Sequence, residues 1–280
     1  MSEVPELEVR GVHYSYPGPV KALQGVSLRI PPGSFTALIG QNGSGKTTLA
    51  RQLNGLQRPT QGQVLLNGED TVDRSVSELA RSVGYCFQNP DHQIFRTSTR
   101  DEISFGPVNL GLEVDEVEQR VDQELARFGL EELAERPPAT LSYGQRRLVS
   151  LAAVFAMRTP VLVLDEPTLG LDRRHIDVLI DAIHQRHNEG ASVLLITHDM
   201  GLVAAHAPRA ALLHEGRLLT VGSAHEVLTD PELLAESGLA APPIVQVTQR
   251  LRSLGHELPT VTTPEGLCHS LKARLGAGDP

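Results

Sequence analysis

Short apolar runs alternate along the chain with stretches of helical periodicity. Ser34 to Gly40 (SFTALIG) is an apolar run closed by glycine and reads as a buried strand. Ser82 to Gln88, Val161 to Asp165 and Ser192 to Thr197 read as further buried strands. A helix is predicted to start at Thr47 and run to Leu53, directly behind a Gly-rich turn. Ile176, Leu179, Ile180 and Ile183 fall at i, i+3, i+4 and i+7. They form one apolar face of a helix over Arg173 to Glu189, with Gly190 as its C-cap. Apolar strands separated by helices predict a parallel sheet covered on both faces.

The middle of the chain has a different texture. Val117, Val121, Leu125 and Phe128 share one face of a helix over Glu113 to Phe128, which Gly129 ends. Its acidic start, Asp115, Glu116 and Glu118, suits the positive end of a helix. Pro137 and Pro138 break the chain, and Ser142 then starts a helix that reaches about Met157. Gln145 stands three residues on, the spacing of a capping box. From Leu148 this helix is apolar nearly all round, so it is expected to be buried. The predicted organisation is an α/β core over residues 1–90 and 159–225, a mainly helical insertion over 91–158, and a tail of weak helices over 226–280.

Composition narrows the class. The chain has 280 residues, 40% hydrophobic and 21% charged, with a formal net charge of -9. These values fit a folded globular protein. The longest apolar run, Leu151 to Met157, is far short of the roughly 20 residues a spanning helix needs. The acidic start MSEVPELEVR has no apolar core and does not read as a signal peptide, so a soluble cytoplasmic protein is expected. Cys86 and Cys268 provide neither a disulfide framework nor metal-ligand spacing, and Cys86 reads as a buried strand residue. An acidic chain without basic runs argues against nucleic acid as a partner. His184 and His187, three apart on a predicted helix, lack a third ligand and read as part of a solvated face.

Lysine is scarce: only Lys21, Lys46 and Lys272 occur. Lys46 lies in Gly40-Gln41-Asn42-Gly43-Ser44-Gly45-Lys46-Thr47, which fits the phosphate-loop pattern G-x-x-x-x-G-K-[ST]. Glycines let successive N–H groups point inward as an anion nest, and the following helix turns its positive end to phosphate. Lys46 supplies a mobile charge, and Thr47 a hydroxyl for Mg²⁺. Val161 to Leu164 bury a strand that delivers Asp165 and Glu166 at its C-terminal end, where α/β sheets place their sites. Asp165 would hold the metal, and Glu166 would act as general base toward water. The bland alternatives are a Gly-rich turn with a chance lysine and an acidic turn after a strand. Their joint occurrence in strand-to-helix context favours the chemistry. The fold class is therefore α/β, a P-loop NTPase (RecA-like) core with a parallel sheet, an inserted helical subdomain and a small helical tail.

With these motifs in place the chain resembles the ATP-binding-cassette ATPases over nearly its whole length. Gln88, after a strand, resembles the family's Q-loop glutamine, and Leu141-Ser142-Tyr143-Gly144-Gln145 resembles its LSGGQ signature. Leu169-Gly170-Leu171-Asp172 stands where the D-loop does, and Thr197-His198-Asp199 supplies the switch histidine. Tyr16 resembles the aromatic that stacks on adenine. Tyr143 departs from the pattern, since the family usually has glycine there. The resemblance implies catalytic roles for Lys46, Glu166 and His198. It implies nucleotide contacts from Tyr16, Gly40 through Thr48, Gln88, Ser142, Gly144, Gln145 and Asp172, and metal contacts from Thr47, Gln88 and Asp165. ATP and Mg²⁺ are the implied cofactors.

The stretch Asn89-Pro90-Asp91-His92-Gln93-Ile94-Phe95, the later Asp101-Glu102-Ile103-Ser104-Phe105-Gly106-Pro107 and the tail at Pro242-Pro243-Ile244 resemble the ATPase subunits of energy-coupling-factor importers of vitamins, cobalt or nickel. That resemblance implies a second ATPase subunit, a transmembrane coupling subunit and a membrane substrate-binding subunit as partners, at the cytoplasmic face of the cell membrane. In this family a site needs the phosphate loop of one subunit and the signature of another, and the tail helps the two stay paired. The alternatives are an ATPase of another importer or exporter branch, a non-transport cassette acting on DNA or ribosomes, and a regulatory subunit that binds ATP without hydrolysing it. One cassette, no heptad run and an acidic balance disfavour the second, and intact Glu166 and His198 the third.

Overall fold

The computed structural model describes residues 4–18 and 20–276. The first three residues of the expected core and the last four of the expected tail lie outside them. The strands are β1 Leu7–Ser15, β2 Lys21–Ile30, β3 Phe35–Ile39, β4 Gln61–Leu66, β5 Glu69–Asp70, β6 Val83–Cys86, β7 Val161–Asp165, β8 Ser192–Ile196, β9 Arg209–His214 and β10 Arg217–Ser223. The helices are α1 Lys46–Leu53, α2 Val76–Ala80, α3 Thr99–Asn109, α4 Val114–Phe128, α5 Tyr143–Met157, α6 Arg173–Asn188, α7 Met200–His206, α8 Ala224–Thr229, α9 Pro231–Glu236, α10 Pro243–Ser253 and α11 Pro264–Gly276.

Six strands form the central sheet in the order β10-β9-β3-β8-β7-β6. All its pairings are parallel except β10 with β9. Both faces are covered, and the strands show it residue by residue. Leu162 and Leu164 of β7 and Val193 and Leu195 of β8 face a core shared with α4, α5 and α6. Val161, Val163, Leu194 and Ile196 face a second core shared with α1 and the other sheet. Continuous apolar strands are what this double burial requires.

The second sheet, β2-β1-β4-β5, is antiparallel and was not foreseen from sequence. Its alternation breaks at bulges: in β1 the inward residues run Leu7, Val9, then Val12, with Gly11 at φ 55° between them. In β2 Leu23 is followed by Val26, with Gly25 at φ 77°. Two hairpins went unread as well. Asn67-Gly68 joins β4 to β5 and Glu215-Gly216 joins β9 to β10, with φ positive at all four residues, as a type I′ turn demands.

The helices follow their predicted causes. Ser142 caps α5 with the full capping box: its hydroxyl accepts from Gln145 N, and Gln145 Oε1 accepts from Ser142 N. Gly129 closes α4 in the left-handed conformation at φ 65°, and α6 stops at Asn188 with Glu189 as cap and Gly190 just beyond. His184 and His187 differ from expectation. They are half-buried edge-on against Phe35, His184 Nε2 lies 3.3 Å from His206 Nδ1, and His187 Nε2 lies 3.1 Å from Gly33 O. The face read as solvated is therefore packing surface, and no group of three or more metal-ligating side chains occurs among the described residues. Nor is any described helix long and apolar enough to cross a membrane.

Candidate functional site

The loop between β3 and α1 wraps tightly because two of its glycines have no room for a side chain. A Cβ at Gly45, which sits at φ 105°, would lie 2.5 Å from Ala22 O. One at Gly40 would lie 2.1 Å from Leu213 O. Lys46 starts α1 and is buried, and its ammonium donates to Gly40 O and Gln41 O, both at 2.8 Å. Burial pulls its pKa below the ordinary lysine value, while the Glu166 and Asp165 carboxylates pull it up. The lysine is thus folded back across the nest at the positive end of α1.

A cavity of 460 Å³ opens over this loop. Its walls bring together most of the residues the phosphate-side motifs nominate: Asn42, Gly43, Gly45 to Thr48, Gln88, Asp165 and Glu166, with Tyr16 at one side. Tyr16 follows β1 and is tied to α1, its hydroxyl 3.0 Å from Thr48 Oγ1. Gly40, Gln41 and Ser44 belong to the loop but do not line the cavity. The Gln41 side chain turns away and donates to Gly238 O in the turn after α9, at 2.7 Å.

The chemistry of the opposite wall comes from the ends of β6, β7 and β8. Asp165 is 1% exposed, and burial raises its carboxyl pKa against the lowering pull of the Thr47 and Tyr85 hydroxyls. Tyr85 Oη donates to Asp165 Oδ2 at 3.1 Å, while Oδ1 is buried without a hydrogen-bond partner. An unpartnered carboxylate oxygen beside Thr47 and Gln88 fits a hard cation with oxygen ligands. Glu166 is 8% exposed at its side chain, and its Oε1 lies 2.8 Å from His198 Nδ1. His198 follows β8 and is 61% exposed, so its free ring edge faces outward. Glu166 sits at φ 46°, a left-handed conformation that costs a non-glycine residue about 1–2 kcal/mol.

The signature residues lie elsewhere. Ser142, Gly144, Gln145 and Asp172 line a separate cavity of 360 Å³ with Gly170 and His175. Signature and D-loop interlock there. A Cβ at Gly144 would lie 2.9 Å from Gly170 O, and one at Gly170 would lie 2.6 Å from the Tyr143 ring. The ring of the unusual Tyr143 therefore packs over the D-loop glycine. Asp172 caps α6 by accepting from His175 N, and its Oδ1 lies 2.8 Å from the His175 ring.

Two residues of this region were not singled out from sequence. Tyr85 reads as one more apolar strand residue, and nothing local marks its hydroxyl as a partner of Asp165. Arg147 is a fully buried arginine on α5 whose guanidinium donates to backbone carbonyls at the ends of β6 and β7. The only available signal is a charge on a helix predicted to be buried.

The chain matches the ABC transporter family over residues 23–169. It is 38% identical over 273 residues to an energy-coupling factor transporter ATP-binding protein of Methanothermobacter thermautotrophicus, covering 96% of this chain and 88% of that one. The solved structure of cbiO1 from Clostridium perfringens, part of the cbiONQ ABC transporter complex, matches with TM-score 0.70 at 34% identity, covering 91% of this chain and 98% of that one. An ATP-binding cassette solved as a dimer in a post-hydrolysis state with ADP and phosphate matches with TM-score 0.71 at 25% identity, covering 78% of this chain and 98% of that one.

Proposed function

The chain belongs to the ATP-binding-cassette ATPases, in the group of energy-coupling factor transporter ATP-binding proteins, and on that premise we propose how its residues carry out ATP binding and hydrolysis for an importer. The observation that carries the proposal is the convergence of the phosphate loop, Gln88, Asp165 and Glu166 on one cavity, with His198 on Glu166.

The loop N–H groups and Lys46 grip the β- and γ-phosphates, and Tyr16 offers its ring to the base. Asp165, Thr47 and Gln88 would hold Mg²⁺, which when bound neutralises charge developing on the phosphates. Glu166 takes the proton of the attacking water, and His198 holds that carboxylate in direction. The separate signature cavity, lined by Ser142, Gly144, Gln145 and Asp172, supports a site completed by a second subunit, in keeping with a similar cassette solved as a dimer. Closure around ATP then favours the paired state, and hydrolysis releases it.

Two surfaces support partners. Phe95, 60% exposed, stacks edge-on with Phe105 at 4.8 Å, and Arg96 lies over both rings. This patch at α3 is suited to a coupling helix of a transmembrane subunit. On the tail, Val247 and Leu254 are exposed, in keeping with a pairing surface between ATPases. The chain would work at the cytoplasmic face of the membrane, with the residue 1–90 and 159–225 core binding nucleotide and the 91–158 insertion relaying its state. A small membrane subunit would select the cargo, a vitamin or a cobalt or nickel ion.

Glu166→Gln tests the chemistry: ATP affinity is expected to stay at the wild-type level while turnover drops at least about 100-fold. Wild-type hydrolysis by that variant removes Glu166 from the role. For the partners, mass spectrometry of the complex purified from membranes is expected to find a multi-spanning subunit and a small membrane protein.

A further inference from the structure

Arg147 is the largest fully buried side chain among the described residues, and its guanidinium bonds backbone carbonyls and the Cys86 sulfur rather than a carboxylate. Its charge is solvated by peptide carbonyls. Nη2 donates to Asp165 O at 2.9 Å and Glu166 O at 2.8 Å, Nε donates to Pro167 O at 3.1 Å, and Nη1 donates to Phe87 O. Asp165 O and Glu166 O belong to the two peptide planes flanking the Glu166 Cα. Holding both to one rigid, planar fork fixes the φ and ψ of that residue and so the direction of its side chain. This is the residue whose φ of 46° needs outside support. Phe87 O lies in the peptide plane that leads into Gln88, so the same group also fixes the entry to the Q-loop. Arg147 itself is in the second turn of α5, the helix capped by Ser142 and carrying Gln145 in its first turn.

We propose that Arg147 is a positioning residue that couples the signature helix to the aim of Glu166 and Gln88. It does not line the cavity over the phosphate loop. A shift of α5 when a second subunit engages Ser142 is carried by the guanidinium to the carbonyls around Glu166, which turns the carboxylate into or out of line. The inference rests on Glu166 being the base, and the experiment separates the two.

Arg147→Lys keeps the charge but loses the fork; Arg147→Met keeps the bulk and loses both. Each is purified as the full chain, alone and in the Glu166→Gln background. ATP affinity is measured with a fluorescent analogue, hydrolysis with radiolabelled ATP, and folding by melting temperature. Arg147→Lys is expected to lower kcat at least tenfold with KM and ATP affinity within twofold of wild type. In the Glu166→Gln background it is expected to cause no further loss, because both changes remove the same function. Multiplying losses in the double variant, or a KM that changes as much as kcat, overturn the proposal and leave the base assignment standing. If both Arg147 variants fail to fold, the residue is a structural prop and the proposal also falls. Unimpaired hydrolysis by Glu166→Gln alone refutes the base instead.

Discussion

Single residues divide into those whose role is local and those whose role depends on distant neighbours. The phosphate loop is local: eight consecutive residues set its turn, its nest and its lysine. Asp165 is not. Its pKa is raised first by burial, and the Thr47 and Tyr85 hydroxyls oppose that rise. If Asp165 holds a divalent cation as proposed, it does so through the ionised carboxylate, and protons would compete with the cation as the pH falls. Competition should begin above the ordinary aspartate range of about 3.9. Tyr85→Phe removes a hydroxyl that favours the charged form, so it is expected to move the pH midpoint for Mg²⁺ or Mn²⁺ binding upward. Titration calorimetry across pH measures this directly, and an unmoved midpoint shows that Tyr85 does not act on Asp165.

At the scale of elements, capping and packing dominate. The reciprocal bonds of Ser142 and Gln145 start α5, and Ser142→Ala should cost about 1 kcal/mol, or roughly 2–4 °C in melting temperature. That is a measurable effect on stability, separate from any loss of hydrolysis. Between α6 and α7, burial and then the charge of His184 hold the pKa of His206 below the ordinary histidine value, against attraction by Asp177 and Asp181. The unfolded chain therefore binds more protons near and below about pH 6.5, and stability is lost as pH falls through that window. The melting temperature should drop from pH 8 to pH 6, and drop less in His206→Gln; equal drops would exclude this pair as the cause. Element types were legible wherever periodicity was unbroken, as in α4, α6 and the parallel strands. The β1–β2 pair was not, since its bulges at Gly11 and Gly25 reverse the inward phase halfway along each strand.

For the whole molecule, the decisive fact is that the phosphate-loop residues and the residues Ser142, Gly144, Gln145 and Asp172 line different cavities. ATP-loaded Glu166→Gln is expected to pair, with itself or with a second ATPase, and to separate when ATP is removed. Ending the chain after Ala241 deletes α10 and α11 while keeping the Gln41 bond to Gly238. That truncation should weaken the pair at least tenfold in sedimentation experiments, and an unchanged constant would take the tail out of the interface.

The sequence by itself determined the phosphate loop, the strand that ends in Asp165 with Glu166 just beyond it, the capped signature helix and the parallel layering of the core. Each rests on neighbours a few residues apart, where spacing dictates geometry. Tertiary structure alone decided that Tyr85 bonds Asp165, that His198 meets Glu166, that Tyr143 packs over Gly170, and that Arg147 anchors the turn carrying Glu166. These contacts join positions from 18 to 80 residues apart. The folded sheet and the helix laid across it bring them together, and no local pattern records which strand ends will lie side by side.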